Sequence, residues 1–319
     1  MKKLLLLIAL IFGITILDAQ VVKQNGKLKV KGTQLVNSKG EAIALHGMSF
    51  GWSCFHPRFY TAGAVNELVK EWKSTVIRAS LGIEPPRGYK QDSATQMQLI
   101  KTVIDAAIKE DVYVIIDWHS HNINLEESKS FFSTIAKTYY KYPNIIYEIF
   151  NEPDHETWPE VKKYSEEVIK VIRAIDKDNI ILVGSPRWDQ EVQLPAADPI
   201  KGFENLMYTM HFYAGTHKQW LRDRTGESIK KGLPIFVSEC AGMEATGDGP
   251  IDHTEWKKFK DWMDENKISW AAWSLSDKNE TCSVLNPSAN SNGGWKDEDI
   301  KEWGQITKEA LKAYAMNNK

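Results

Sequence analysis

The chain has 319 residues, more than a minimal core needs and within the range of one large α/β domain. Its 40 basic and 42 acidic residues leave a formal charge of −2, which excludes the basic bias of a nucleic-acid or anionic-membrane binder. Three cysteines, Cys54, Cys240 and Cys282, match no metal spacing and leave at least one thiol unpaired, which excludes a disulfide-stapled scaffold.

Residues 1–19 read as an export signal. Lys2 and Lys3 precede an apolar run over 4–17 that is short for a bilayer span, and Ala19 is the candidate cleavage residue. Leu17, two residues earlier, fits the small-residue rule poorly, so the cleavage point stays open. This predicts a single mature domain over 20–319, secreted or periplasmic, with no membrane segment and a monomer as the default. Residues 28–36, followed by the Asn-Ser-Lys-Gly turn at 37–40, predict a small β-hairpin placed to cover the bottom of the main fold.

A strand–helix rhythm then begins. Strands are predicted at 42–50, 75–80, 112–119, 145–150, 179–184, 206–213, 234–239 and 268–274. Helices are predicted at 64–72, 94–110, 127–140, 161–175, 220–231, 254–266 and 300–315. Near-continuous apolar strands are buried on both faces, hence parallel. Eight of them predict a closed (β/α)8 barrel, with an open doubly wound sheet as the alternative. The glycine fingerprint of a nucleotide-binding sheet is missing after the first strand.

Chemistry in such a barrel sits at the C-terminal strand ends. Those ends carry Arg78, His119, Asn151 with Glu152, Trp188, His211 with Tyr213, Glu239 beside Cys240, and Trp273. Glu152 closes the stretch Tyr147-Glu148-Ile149-Phe150-Asn151-Glu152, where Pro153 cannot donate to a sheet. Glu239 ends a second apolar run. A single polar strand end is weak evidence; two glutamates on one rim with an arginine, histidines, a tyrosine and a tryptophan are not. Glycoside hydrolysis needs two carboxyl groups, one protonated and one ionised. A neighbouring arginine favours the charged form of one, and burial or like charge raises the pKa of the other. Strands four and seven face each other across the mouth, which allows the spacing of about 5 Å that gives retention. The chain has twelve tryptophans. Several belong to the core, but those at strand ends offer faces on which sugars stack.

Ile-Phe-Asn-Glu-Pro at 149–153 resembles the acid/base signature of glycoside hydrolase family 5. Val-Ile-Arg-Ala at 76–79, Asp-Trp-His at 117–119, His-Phe-Tyr at 211–213, Val-Ser-Glu at 237–239 and the Ala-Trp-Ser segment from 272 match its other strand ends in order. The resemblance implies Glu152 as acid/base and Glu239 as nucleophile, with Arg78 and Tyr213 steadying the latter. It implies that His119, Asn151 and His211 orient the central sugar, that Trp273 stacks beneath it, and that Trp188 forms an aglycone-side platform. The loop at 276–280 and residues 82–89 are similar to the cellulase-type subgroup, in which Lys278 and Glu280 contact sugar on the non-reducing side. The implied activity is endo-β-1,4-glucanase on a β-glucan substrate, without a cofactor. Alternatives are a β-mannanase, a xyloglucan- or lichenan-active enzyme, and a non-catalytic carbohydrate-binding barrel. A metal site built from His119, His121, His211 and Asp277 is the competing chemistry. Glu84, Glu148, Glu156, Glu191 and Glu244 read as structural or solvated. Trp52 and Phe55, after the first strand, read as distant subsites or as loop packing.

Overall fold

The computed structural model describes residues 20–317, so the export signal lies outside the described residues. A short helix α1 (Val21–Asn25) leads into the antiparallel hairpin β1 (Lys29–Lys31) and β2 (Gln34–Val36). Gly32, at φ +61, makes the turn between them, a conformation that costs glycine little. The hairpin is pinned to the N-terminal barrel end: Val30 N donates to Asn205 Oδ1 at 3.0 Å, and Tyr113 OH to Gly26 O at 2.6 Å.

Eight parallel strands close the barrel: β3 (His46–Phe50), β4 (Val76–Gly82), β5 (Tyr113–His119), β6 (Ile145–Glu148), β7 (Ile180–Val183), β8 (Leu206–Tyr213), β9 (Ile235–Ala241) and β10 (Trp270–Leu275). Strand neighbours follow chain order and β10 pairs with β3, so the barrel predicted from the rhythm is the one observed. Strands β3 to β7, β9 and β10 are buried along their whole length, which is why they read as continuous apolar runs. Gly47 lets β3 approach β4, since a Cβ there would meet Val76 O at 1.7 Å.

The outer helices are α2 (Ala62–Lys70), α3 (Ser93–Lys109), α4 (Leu125–Tyr139), α5 (Trp158–Ile175), the short α6 (Pro186–Asp189) and α7 (Gln193–Ala197), α8 (Gln219–Lys230), α9 (His253–Glu265) and α10 (Glu302–Asn317). Their starts are chemically marked. Thr61, Asp92 and Asp252 accept the backbone N–H of Ala64, Thr95 and Glu255, and Thr157 N donates to Glu160 Oε2 at 2.8 Å. The first barrel strand begins at His46 rather than residue 42, because Ile43 N donates to Leu35 O and Ala42 bridges Val36, extending the hairpin instead. Strand β6 stops at Glu148, two residues before the predicted end. Cys54, Cys240 and Cys282 are separate, buried, free thiols. No helix of the described residues is long and apolar enough to cross a membrane.

Candidate active site

The site is built on one buried cation. Arg78, in the middle of β4, is fully buried and has no water to solvate it, so its guanidinium needs partners on every edge. It finds them. Nε and Nη2 grip Glu148 at 2.7 and 3.1 Å, Nη2 also reaches Asp117 at 3.0 Å and donates to Asn151 Oδ1 at 2.6 Å, and Nη1 donates to Glu239 Oε2 at 2.9 Å. Three other barrel strands, β5, β6 and β9, and the turn after β6 converge on this group. The Tyr213 hydroxyl donates to the other Glu239 oxygen at 2.7 Å, so the carboxylate is held by both oxygens.

Glu152 sits just past β6 and meets His211 Nδ1 at 2.8 Å through Oε1. The ring's other nitrogen lies 2.8 Å from Ser238 Oγ, which donates to Glu148 Oε1 at 2.6 Å. A serine hydroxyl has one proton, so if Ser238 gives it to Glu148 it must accept from His211 Nε2–H. Nδ1 and Glu152 then share one further proton. Burial opposes a charged His211, but Asp189, Glu148 and Glu152 around it outweigh burial and hold its pKa well above the ordinary value. Burial likewise pushes Glu152 up, but the hydrogen bond and charge of His211, with His121 and His119, hold it at about 2. The expectation that burial or like charge raises the acid's pKa therefore fails in this resting arrangement, because a histidine faces it.

His119 Nδ1 lies 2.6 Å from Asp117 Oδ2, and burial followed by the Arg78 charge pushes its pKa well down, so the ring is neutral. With Nδ1–H donating to Asp117, Nε2 would be left as an acceptor. The ring stacks parallel to Trp273 at 5.1 Å and meets the edge of Trp52 at 4.2 Å. Asn151 spends its oxygen on Arg78, while its Nδ2 is buried without a partner. One oxygen each from Glu152 and Glu239, with a nitrogen of His211, lie within 4.8 Å of one another.

Eight of the eleven predicted residues thus form one assembly: Arg78, His119, Asn151, Glu152, His211, Tyr213, Glu239 and Trp273. Trp188 stands on the turn after β7, 39% exposed, and Lys278 and Glu280 pair with each other on the loop after β10, outside the hydrogen-bonded network. The alternative metal set is not gathered: Asp277 is taken by Arg58 at 2.7 Å and by His56 at 3.3 Å. Sequence reasoning gave no role to Asp117, Asp189 and Ser238, and read Glu148 as structural or solvated. The i, i+2 alternation that puts Asp117 on the inward face with His119 was an available signal. Glu84 is structural, accepting from Asn124 Nδ2 at 2.6 Å and from the Ser120 hydroxyl.

Comparison with known proteins agrees with this geometry. The sequence model of the family described as Cellulase (glycosyl hydrolase family 5) matches residues 36–279. The chain is 39% identical to an endoglucanase of Clostridium saccharobutylicum, over 92% of this chain and 67% of that protein. It is 40% identical to endoglucanase Z of Dickeya dadantii, over 90% and 69% respectively. Among solved structures, a Cytophaga hutchinsonii protein superposes with a TM-score of 0.90 at 41% identity, covering 92% of this chain and 97% of the other. The catalytic domain of Thermobifida fusca endoglucanase Cel5A gives 0.87 at 33%, covering 92% and 99%, and a cellotetraose complex of that enzyme superposes equally well. With the family match spanning most of the barrel and relatives this similar along nearly its whole length, the chain belongs to glycosyl hydrolase family 5, the cellulase family.

Proposed function

We propose that the chain is an endo-β-1,4-glucanase that cleaves internal bonds of a β-glucan with retention of configuration. The observation that carries this reading is the spacing of the two glutamates, with carboxylate oxygens within 4.8 Å across the barrel mouth. Retaining enzymes hold their carboxyl groups roughly 5–5.5 Å apart, whereas inverting ones need room for a water between them. The named activities of the endoglucanase relatives support the substrate class.

The two carboxylates have different surroundings, and the roles follow. Glu239 accepts from Arg78 and Tyr213 through its two oxygens and is aimed by them, so it attacks the anomeric carbon. Glu152 shares a proton with His211 and protonates the departing oxygen. His211 stores that proton when the cleft is empty; transfer to Glu152 and on to the leaving oxygen returns the imidazole to neutral. Water then enters, Glu152 takes its proton, and the glycosyl ester on Glu239 is hydrolysed. Asn151 Nδ2 donates to the hydroxyl beside the reacting carbon, Trp273 stacks under that sugar, and His119 accepts from a hydroxyl of it. Trp188 carries the aglycone side, and Lys278 with Glu280 the non-reducing side. Residues 20–319 act as one secreted or periplasmic catalytic unit after removal of the signal.

The test is release of reducing ends from soluble carboxymethyl cellulose, beside Glu239→Gln and with mannan and xylan in parallel. Glucan cleavage that vanishes in the variant, with the β-anomer formed first by proton NMR, is the expected result. Turnover of mannan alone would replace the substrate. An α-anomer would remove the two-step mechanism, and binding without turnover on any polymer would leave a carbohydrate-binding barrel.

A further inference from the structure

A second tryptophan stands on the same face as the candidate cleft without any role in it. Trp220 lies in the first turn of α8, and helices of this barrel start at the C-terminal strand face, where the two glutamates lie. It is 42% exposed, much for the largest apolar side chain, and it is not loose. The Arg224 guanidinium, one turn further along α8, lies 4.9 Å from its ring centroid, and Arg224 Nη1 donates to Gln190 O at 3.1 Å. Gln190 is two residues past Trp188. On its other flank the His217 ring meets Trp220 at 5.8 Å and 70°, and His217 Nδ1 accepts from Tyr213 N at 2.9 Å. One support therefore ties Trp220 to the turn that presents Trp188, and the other ties it to the tyrosine that holds Glu239.

We propose that Trp220 is a further aromatic platform that binds a glucosyl unit of the substrate beyond the one carried by Trp188, lengthening the aglycone side of the cleft. This rests on the glucanase reading above. The chemistry fits a neutral pyranose, whose apolar C–H face stacks on a flat ring while its edge hydroxyls meet polar neighbours. Here that neighbour is Arg224, whose guanidinium lies beside the ring. An exposed ring held on two sides is a preorganised surface, since little side-chain freedom remains to be lost on binding.

The experiment uses the full chain and cello-oligosaccharides of four, five and six units with Trp220→Ala, Trp220→Phe and a Glu239→Gln control. The readouts are kcat/KM for each length and the position of cleavage. The alanine variant is expected to lower the ratio of six-unit to four-unit kcat/KM about fivefold, mostly through KM, while phenylalanine retains most of it. Calorimetry of six-unit binding to Glu239→Gln, with and without Trp220→Ala, reads the same loss without turnover. An unchanged length ratio and unchanged binding would overturn the platform while leaving the glucanase reading intact. A wild-type chain no more active than Glu239→Gln on any oligomer would overturn both.

Discussion

Asp189 Oδ2 lies 3.4 Å from His211 Nε2, on the ring nitrogen that does not face Glu152. The same carboxylate accepts from Ser185 N at 2.6 Å and from Thr209 Oγ1 at 2.5 Å, and is fully buried. It therefore joins two things: the charge of His211 and the turn that presents Trp188. Arg187, Trp188 and Asp189 all have positive φ, at 58, 55 and 60°, which bulky residues avoid at about 1 kcal/mol or more each. The Asp189 bonds, with Trp188 N donating to Pro153 O at 3.0 Å, hold that strained turn in place.

Asp189→Asn keeps oxygen and donor atoms for Ser185 and Thr209 but removes one anion beside His211. Burial pushes the Asp189 carboxyl well up and the charge of His211 pulls it back; the ionised form raises the His211 pKa, so its loss lets the imidazole release its proton at lower pH. The alkaline limb of kcat/KM on cello-oligosaccharides is expected to move down, with kcat reduced about tenfold. An aryl cellobioside with an acidic leaving group, which needs no protonation, is expected to change far less. An unmoved alkaline limb would mean that burial keeps Asp189 protonated and that it is only a strut for the turn.

Glu152→Ala separates acid from nucleophile. Loss of a general acid costs about 10²–10⁴-fold on substrates with poor leaving groups. Activated aryl glycosides are expected to keep a fast first step and then stall at the glycosyl ester, giving a burst equal to the enzyme concentration. Stopped-flow release of the phenolate measures it. Steady-state loss without a burst would assign Glu152 some other task.

Arg78→Met removes the cation that Asp117, Glu148 and Glu239 share. Breaking a buried pair leaves uncompensated charge, at about 3–5 kcal/mol, so the urea midpoint should fall steeply as well as the activity. A variant as stable as wild type would show that the surrounding carboxyls simply take up protons.

Much of this site was legible because barrel strands announce their own ends. An apolar run that stops at Glu239, or at Asn151 and Glu152, marks a C-terminal tip, and tips of one closed sheet must share a rim. Glu148 was obscured by its place inside an apolar strand, where a buried charge is tolerated only because Arg78 arrives from 70 positions away. Asp189 was obscured because its turn uses left-handed backbone without glycine, so no local residue signals it. Trp188 was singled out in the sequence and its strained support was not. The histidine that meets Glu152 comes from strand β8, and sequence position does not say which histidine faces which acid.

Stability should fall on the acid side for a reason unrelated to catalysis. Burial, then the charge of Lys260, pushes His46 down to about 3, and its ring stacks on Tyr314 at 3.7 Å. Burial likewise pushes His217 down to about 4. An unfolded histidine titrates near about 6.5. Between those values the unfolded chain binds more protons than the folded one, so stability is full above about pH 6.5 and is lost as pH falls toward 3. Melting curves of wild type and His46→Phe between pH 7 and 4 measure this. The phenylalanine variant is expected to lose less Tm over that range, and parallel curves would exclude His46 as a source.

Asn151 offers the sharpest test of how the cleft grips its sugar. Its oxygen is fixed by Arg78 and its Nδ2 is buried without a protein partner, so the amide is already oriented before substrate arrives. A hydrogen bond to substrate from such a donor gives up no protein partner on the enzyme side. Asn151→Ala should therefore lower kcat/KM by about 10²-fold, the scale of one preorganised donor. A cellobioside lacking the hydroxyl next to the reacting carbon should lose a similar factor with the wild-type enzyme. Combining the two should cost little more than either alone, since both remove the same bond. Losses that multiply instead would place the Asn151 amide on another group of the substrate.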